Sequence, residues 1–392
     1  MPISSKNNFS FFVKVTGVCF LFGILISYNL WTNARSFPTF PVFESFVVPN
    51  WLISLLKFSL IGILITTIVF VRQRIINILL LFILILVFAD QTRLQPWVYF
   101  YFLVLLPFSL SKNKSFILNY LRFLFIGIYI WSGIHKLNPK FGELIFESIL
   151  IDGFKITNPD TLYHLKSFAF FIPITELIMG SFLFFRRTRK IGIAFVILSH
   201  LFILDYLIFG LQGNWVIIPW NIFMIYAVIF LFYTQKDKLS LPIKNRGFTI
   251  ILSIVLLLLP IGNLLGKIDQ SLSFSLYDGR LKSLYEINSG SDTHYEILDD
   301  LLLEGSIIDY TVWSYDELNA PFYPENRFVQ KISKEKSTSE VKLILTDIPL
   351  WRRNLLGTYK TEKELNKIQN TDSILFVKFN IDIFMPDYKV IE

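Results

Sequence analysis

One cysteine among 392 residues, Cys19, rules out an intramolecular disulfide, a CxxC redox pair and a cysteine-based zinc site. Histidine is nearly as scarce. The four, at 135, 164, 200 and 294, lie too far apart for metal-ligand spacing, so no metal is expected. Charged residues make up only 17% of the chain against 53% hydrophobic. No signal-peptide cleavage pattern stands out, because the first apolar run reads on into "YNLW" without a small-residue site. What is abundant is apolar and aromatic: 41 Phe, 17 Tyr and 8 Trp. A soluble domain could not keep so much apolar surface in solution, so the composition implies a polytopic membrane protein with the lipid bilayer as its first partner.

The net charge of +7 hides two unlike parts. Residues 1–269 hold 23 Lys and Arg against 10 Asp and Glu, and residues 270–392 hold 14 against 20. A basic membrane domain, 1–269, is therefore expected to precede an acidic soluble domain, 270–392. The basic excess then reports membrane topology rather than a nucleic-acid partner. A helical span takes about 20 apolar residues. Nine candidates emerge, near 9–31, 52–71, 75–90, 95–110, 116–135, 167–185, 190–211, 214–234 and 247–266. The polar piece 140–166 reads as a partly helical connection along the surface. With the N-terminus cytoplasmic, the inside loops collect Lys6, Arg72 and Arg74, Lys112 and Lys114, "RRTRK", and Lys236, Lys238, Lys244 and Arg246. The outside loops carry little positive excess, so the positive-inside rule gives N-in, nine spans and C-out.

Ionisable groups inside spans cost about 2.5–3.5 kcal/mol on insertion scales and usually face a bundle interior. Lys14, Lys57 and Arg122 sit near span ends, where snorkelling or structural pairing explains them. Glu176 differs. It stands mid-span in "IPITELIMG" with no compensating charge nearby in sequence, and so must be protonated or paired with another helix. His200, in "VILSHLFILDY", is either a hydrogen-bonded core histidine or a pocket residue, and Asp205 lies closer to the outer end. The turn "DQTRLQPWVYFY" supplies Asp90, Gln91, Arg93 and Trp97 between two short spans, more polar groups than a chain reversal needs. Pro96 suits the first turn of the following helix. Finally, "YIWSGIHKLNPKF" ends an apolar run with His135, Lys136 and Asn138, which reads either as interfacial anchoring or as a site.

That last stretch resembles the aromatic–x–x–small–Gly–x–x–Lys–Leu–(Asn/Asp) signature of the vitamin K-dependent gamma-carboxylase family and its bacterial HTTM-domain relatives. Further likenesses follow in order: "FADQTRLQPWVYFYFLVL" to the family's Asp-centred turn, "PITELIMGSFLFFRRTRKIGIAFVILSHLF" to its acidic span, basic loop and His-bearing span, and "FGLQGNWVIIPWNIFM" to its Gly–aromatic segment. The resemblance covers roughly residues 9–235. It implies a helical bundle with a reduced-quinone pocket in its extracytoplasmic half, of vitamin K hydroquinone or menaquinol type. Lys136 would be the base on that quinol, and Asp90, Gln91, Arg93, Trp97, His135, Asn138, Glu176 and His200 would line the pocket. His135 stands where the carboxylases carry a second lysine.

The tail 270–392 reads as an α+β cap. Strands are expected around Phe274 and Leu276, Leu284 and Ile287, "VKLILTDI" and "ILFVKFNIDIF", with a helix at "TEKELNKIQ". Asp292, His294 and Glu296 in "DTHYE" share one strand face, more in keeping with a solvated edge than with a metal site. The overall expectation is an all-α polytopic membrane bundle of about nine transmembrane helices with a small extracytoplasmic α+β C-terminal domain. Its function would be quinol-dependent oxidation or carboxylation-type chemistry on an extracytoplasmic protein or peptide. Two alternatives stay open: a non-catalytic protein that binds or moves a lipid- or quinone-like ligand, and an assembly factor acting through the cap.

Overall fold

Local sequence sets many of the helix ends. Asn113 accepts the Phe116 N–H at 3.2 Å and so starts α5, Lys114–Lys136. Pro96 begins α4, Pro96–Leu110, where the missing N–H costs nothing. Pro159 begins α6, Pro159–Lys166, behind the capping side chain of Asn158. In this computed structural model residues 5–43, 48–211, 214–235, 239–240, 246–288, 307–336 and 341–346 are described. The remaining bundle helices are α1 Ser5–Ile26, α2 Asn50–Val69, α3 Gln73–Ala89, α7 Phe171–Phe184, α8 Arg189–Asp205, α9 Ile217–Val228, α10 Arg246–Ser253 and α11 Leu259–Leu264. Wider π-helical turns extend α8 to Leu211 and α9 to Thr234, and join α10 to α11.

Among the described residues six helical stretches are long and apolar enough to cross a membrane: Asn8–Ile26, Asn50–Val69, Lys114–Lys136, Pro159–Phe184, Arg189–Gly210 and Ile217–Thr234. Three shorter apolar helices, Gln73–Ala89, Pro96–Leu110 and Thr249–Leu264, pack with them. The connection 140–166 holds π-helical turns at Phe141–Phe146 and Ile149–Gly153, and then α6. It differs from the expectation at its end, because α6 runs through the turn at 167–170 toward α7 as one span-length stretch. Helices α5 and α7 are in intimate contact because both carry glycine at the crossing. A Cβ at Gly133 would lie 2.7 Å from the Pro173 carbonyl oxygen, and one at Gly180 would lie 3.1 Å from that of Ile126.

The segment after α11 crosses one end of the bundle. It was expected to start with a strand at Phe274 and Leu276. Instead a 3₁₀ turn, Gln270–Leu272, leads into a loop in which Phe274 and Tyr277 are left-handed, with φ of 59° and 51°. The carbonyls of Ser273 and Asp278 explain the difference: both accept hydrogen bonds from the end of α5 and are not free to form a ladder. Gly279, at φ 80°, lets this loop pass within 2.5 Å of the Lys140 carbonyl, measured from an added Cβ.

Strands then appear at β1 Ser283–Asn288, β2 Ile307–Asp309 and β3 Val341–Thr346, in the antiparallel order β2-β1-β3 with Leu284 opposite Leu345. Two helices that sequence reading did not anticipate, α12 Tyr310–Leu318 and α13 Asn326–Lys336, cover the bundle end. Phe37 packs edge-on to Trp313 and Phe322, and Phe40 packs against Phe328. Phe322, Phe328 and Leu345 therefore belong to the same buried cluster as Phe12 and Phe223 of the bundle. The readings at "DTHYE", "TEKELNKIQ" and "ILFVKFNIDIF" lie outside the described residues.

Candidate functional site

The last two turns of α5 present Tyr129, Ser132 and Lys136 at helical spacings of three and four, which puts them on one face. That face meets α7. Lys136 Nζ lies 3.0 and 2.9 Å from the two Glu176 carboxylate oxygens and 2.5 Å from Ser132 Oγ. An ammonium has three N–H donors, and these three contacts engage all of them. The pair is largely shielded, with side-chain exposures of 8% for Lys136 and 13% for Glu176. The mid-span carboxylate that needed a partner has one, and it is the lysine of the signature stretch.

One turn deeper, Tyr129 meets His200 of α8. The phenol oxygen is 2.9 Å from His200 Nε2, and His200 Nδ1 is 2.7 Å from Asn221 Oδ1 on α9. Asn221 Nδ2 donates to the Ile217 carbonyl, so its Oδ1 is an acceptor. Nδ1 of His200 must then carry the proton, and the Tyr129 hydroxyl donates to Nε2.

His135, beside Lys136 in sequence, points into the covering segment. Arg280 Nη2 donates to its Nδ1 at 2.9 Å, and Nε2 is 3.1 Å from the Ser273 carbonyl. A guanidinium cannot accept and a carbonyl cannot donate, so this ring is the neutral Nε2–H form. Arg280 is held in turn by Asp278. Asn138 ties the helix end to the same loop, donating to the carbonyls of His135 and Asp278 at 2.7 and 2.9 Å.

Asp90, Gln91, Arg93 and Trp97 form a second cluster. Fully buried Asp90 accepts from Arg35 at 2.6 Å, from the Phe40 N–H at 3.0 Å and from the Thr92 N–H at 3.1 Å. Arg93, equally buried, donates to the carbonyls of Leu30 and Leu86 and to Asn33 Oδ1. Gln91 accepts from Arg327 of α13 at 2.7 Å. Trp97 packs against Phe20 and Trp31. Their hydrogen bonds tie loop 28–43, the turn and the covering segment together, and none of them reaches Lys136, Glu176 or His200. Asp205 is exposed. Arg122 anchors the opposite bundle end, donating to the carbonyls of Leu231 and Gln235 at 2.8 and 2.7 Å.

No protein family, no curated protein and no solved structure matches this chain. What the structure does bring together is a shielded lysine–glutamate pair next to a Tyr–His–Asn chain, at one end of an apolar bundle. Ser132, Tyr129 and Asn221 were not anticipated as parts of it. Helical spacing from Lys136 would have found the first two, and Asn221 is the lone amide in "IIPWNIFMIY".

Proposed function

We propose that this chain is a multi-pass membrane protein whose Lys136–Glu176 pair performs acid–base chemistry on a hydroxyl of a reduced quinone-type ligand in the extracytoplasmic half of the bundle. The contact of Lys136 with both Glu176 oxygens carries the reading. An arginine would hold its proton permanently, whereas a lysine in an apolar setting can pass one to a carboxylate. Lys136 hands a proton to Glu176, which leaves a neutral pair and an amine lone pair. The amine then takes the ligand hydroxyl proton. Glu176 ends protonated, Lys136 ends as ammonium beside the new oxyanion, and charge balances. Ser132 fixes the lysine head, and the Tyr129–His200–Asn221 chain holds the neighbouring wall rigid. A reduced quinone, when bound, would supply electrons to oxygen. The ordered likeness to the vitamin K-dependent carboxylases supports that class of ligand and leaves an extracytoplasmic protein or peptide as acceptor.

The topology belongs to the same proposal. The three shorter apolar helices cross with the six long ones, giving nine spans, a cytoplasmic N-terminus and an extracytoplasmic cap after residue 269. In support, the end of α5, the turn at 90–95 and loop 28–43 each bond to the covering residues 270–288 or 307–336 at a single bundle end.

A second reading has its own observation. All three ammonium protons of Lys136 are already engaged within the protein. A purely structural pair would suit a protein that binds or moves a lipid- or quinone-like ligand without turnover. The test uses purified full-length protein in nanodiscs with menaquinol or vitamin K hydroquinone, following oxygen uptake and epoxide formation in wild type and Lys136→Ala. Epoxide from wild type alone supports the base. No epoxide from either, with quinol shown to bind, leaves the binding protein.

A further inference from the structure

Between the turn Gln91–Gln95 and the covering segment lies a cavity of ≈ 20 Å³, room for about one water-sized group. Gln95, Asp269, Ser314, Tyr323, Glu325 and Arg327 face it. One acceptor there is unfilled and a second is only weakly served. Gln95 is 3% exposed, and its amide nitrogen donates to the carbonyls of Thr92 and Pro321 at 2.8 and 3.1 Å, yet its Oε1 has no hydrogen-bond partner. The Glu325 carboxylate receives the Gln270 N–H at a long 3.4 Å. Asp269 is matched by Arg327, which grips both its oxygens at 2.9 and 2.6 Å. Glu325 is thus the surplus negative charge among the lining residues.

We propose that this cavity binds the head of a protonated primary amine, whose N–H groups donate to Gln95 Oε1 and to the Glu325 carboxylate. Water would satisfy Gln95 but bring no positive charge to Glu325, on which the pull of Arg327 and Lys282 is outweighed by burial and Asp269. A metal ion finds no cluster of three His, Cys, Asp or Glu among the described residues. A quaternary ammonium has no proton for Gln95. The amine competes with a proton. Burial and neighbouring Asp269 raise the Glu325 carboxyl to about 7, against the opposing pull of Arg327 and Lys282, and Tyr323 completes the titratable groups around it. Ammonium binding requires the ionised carboxylate, so affinity rises with pH.

The site is independent of the acid–base reading at Lys136 and is tested separately. Full-length protein in nanodiscs is titrated calorimetrically with methylammonium chloride, and with tetramethylammonium chloride at the same ionic strength. Saturable binding of methylammonium alone is expected, about tenfold tighter at pH 8 than at pH 6 for a group titrating near 7, and weakened at least tenfold in Glu325→Gln and in Gln95→Leu. Equal responses to both salts, pH-independent binding, or no saturable binding (a buried water only) would overturn the proposal. The wild-type comparison of the two salts decides even if neither variant folds.

Discussion

Two buried charge clusters of this molecule are made from similar ingredients and are suited to different work. In the turn at 90–95 an aspartate faces two arginines, and the partners are fixed: guanidinium groups that hold their protons, backbone N–H groups, backbone carbonyls, the Asn33 amide oxygen and the Thr92 hydroxyl. At the end of α5 a lysine faces a glutamate, and both are groups whose proton can move. The first cluster joins loop 28–43 to the bundle end. The second sits between α5 and α7, whose glycines bring the helices close enough for the pair to form. On the proposed function, buried charge by itself does not mark a reactive site; partners able to exchange a proton do.

The sharpest way to break this contrast is to remove Asp90. Asp90→Ala leaves Arg35 and Arg93 buried without their counter-ion, and about 3–5 kcal/mol of stability should be lost, read as a collapse of the melting temperature in detergent. Glu176→Gln should cost less, about 2–3 kcal/mol, because that pair is less completely buried than Asp90 and its arginines. The double variant Lys136→Met/Glu176→Leu should recover to within about 1 kcal/mol of wild type while remaining inactive. Failure of the double variant to recover would place both clusters in the structural class. Arg93→Lys keeps the charge but loses the fork that reaches two carbonyls and Asn33, at about 1–2 kcal/mol by thermal denaturation.

A pH-dependent effect concerns Glu325, which titrates outside both clusters. Its folded carboxyl is raised from 4.5 to about 7, so the folded state holds this proton more tightly than the unfolded chain does. The stability this contributes is complete below about pH 4.5 and is lost as pH rises through about 7. The melting temperature of wild type should therefore fall more between pH 5 and pH 8 than that of Glu325→Gln. Equal slopes would remove Glu325 from the account.

Much of the bundle was legible because apolar runs and helix caps are local. Each of the nine apolar runs is helical in the structure, and Glu176 announced a need for a partner by its isolation among apolar neighbours. Its partner could not be read, since Lys136 lies 40 residues away. The same holds for Arg35 with Asp90, 55 residues apart, and for Arg280 with His135, 145 apart. Helices α12 and α13 were missed for another reason. Their buried faces, including Leu318, Phe328 and Ile332, pack on loop and bundle residues from the other end of the chain. The strand expected at Phe274 failed because tertiary hydrogen bonds took its carbonyls.

Where the Lys136–Glu176 proton goes separates acid–base chemistry from a structural pair. Infrared difference spectroscopy of the nanodisc-embedded protein, with and without a reduced naphthoquinone, reads this directly. The account predicts a protonated-carboxyl stretch that appears on ligand binding and is absent from Glu176→Gln. A Glu176 carboxylate that stays ionised with ligand bound would contradict it and leave the pair as a structural clamp between two helices.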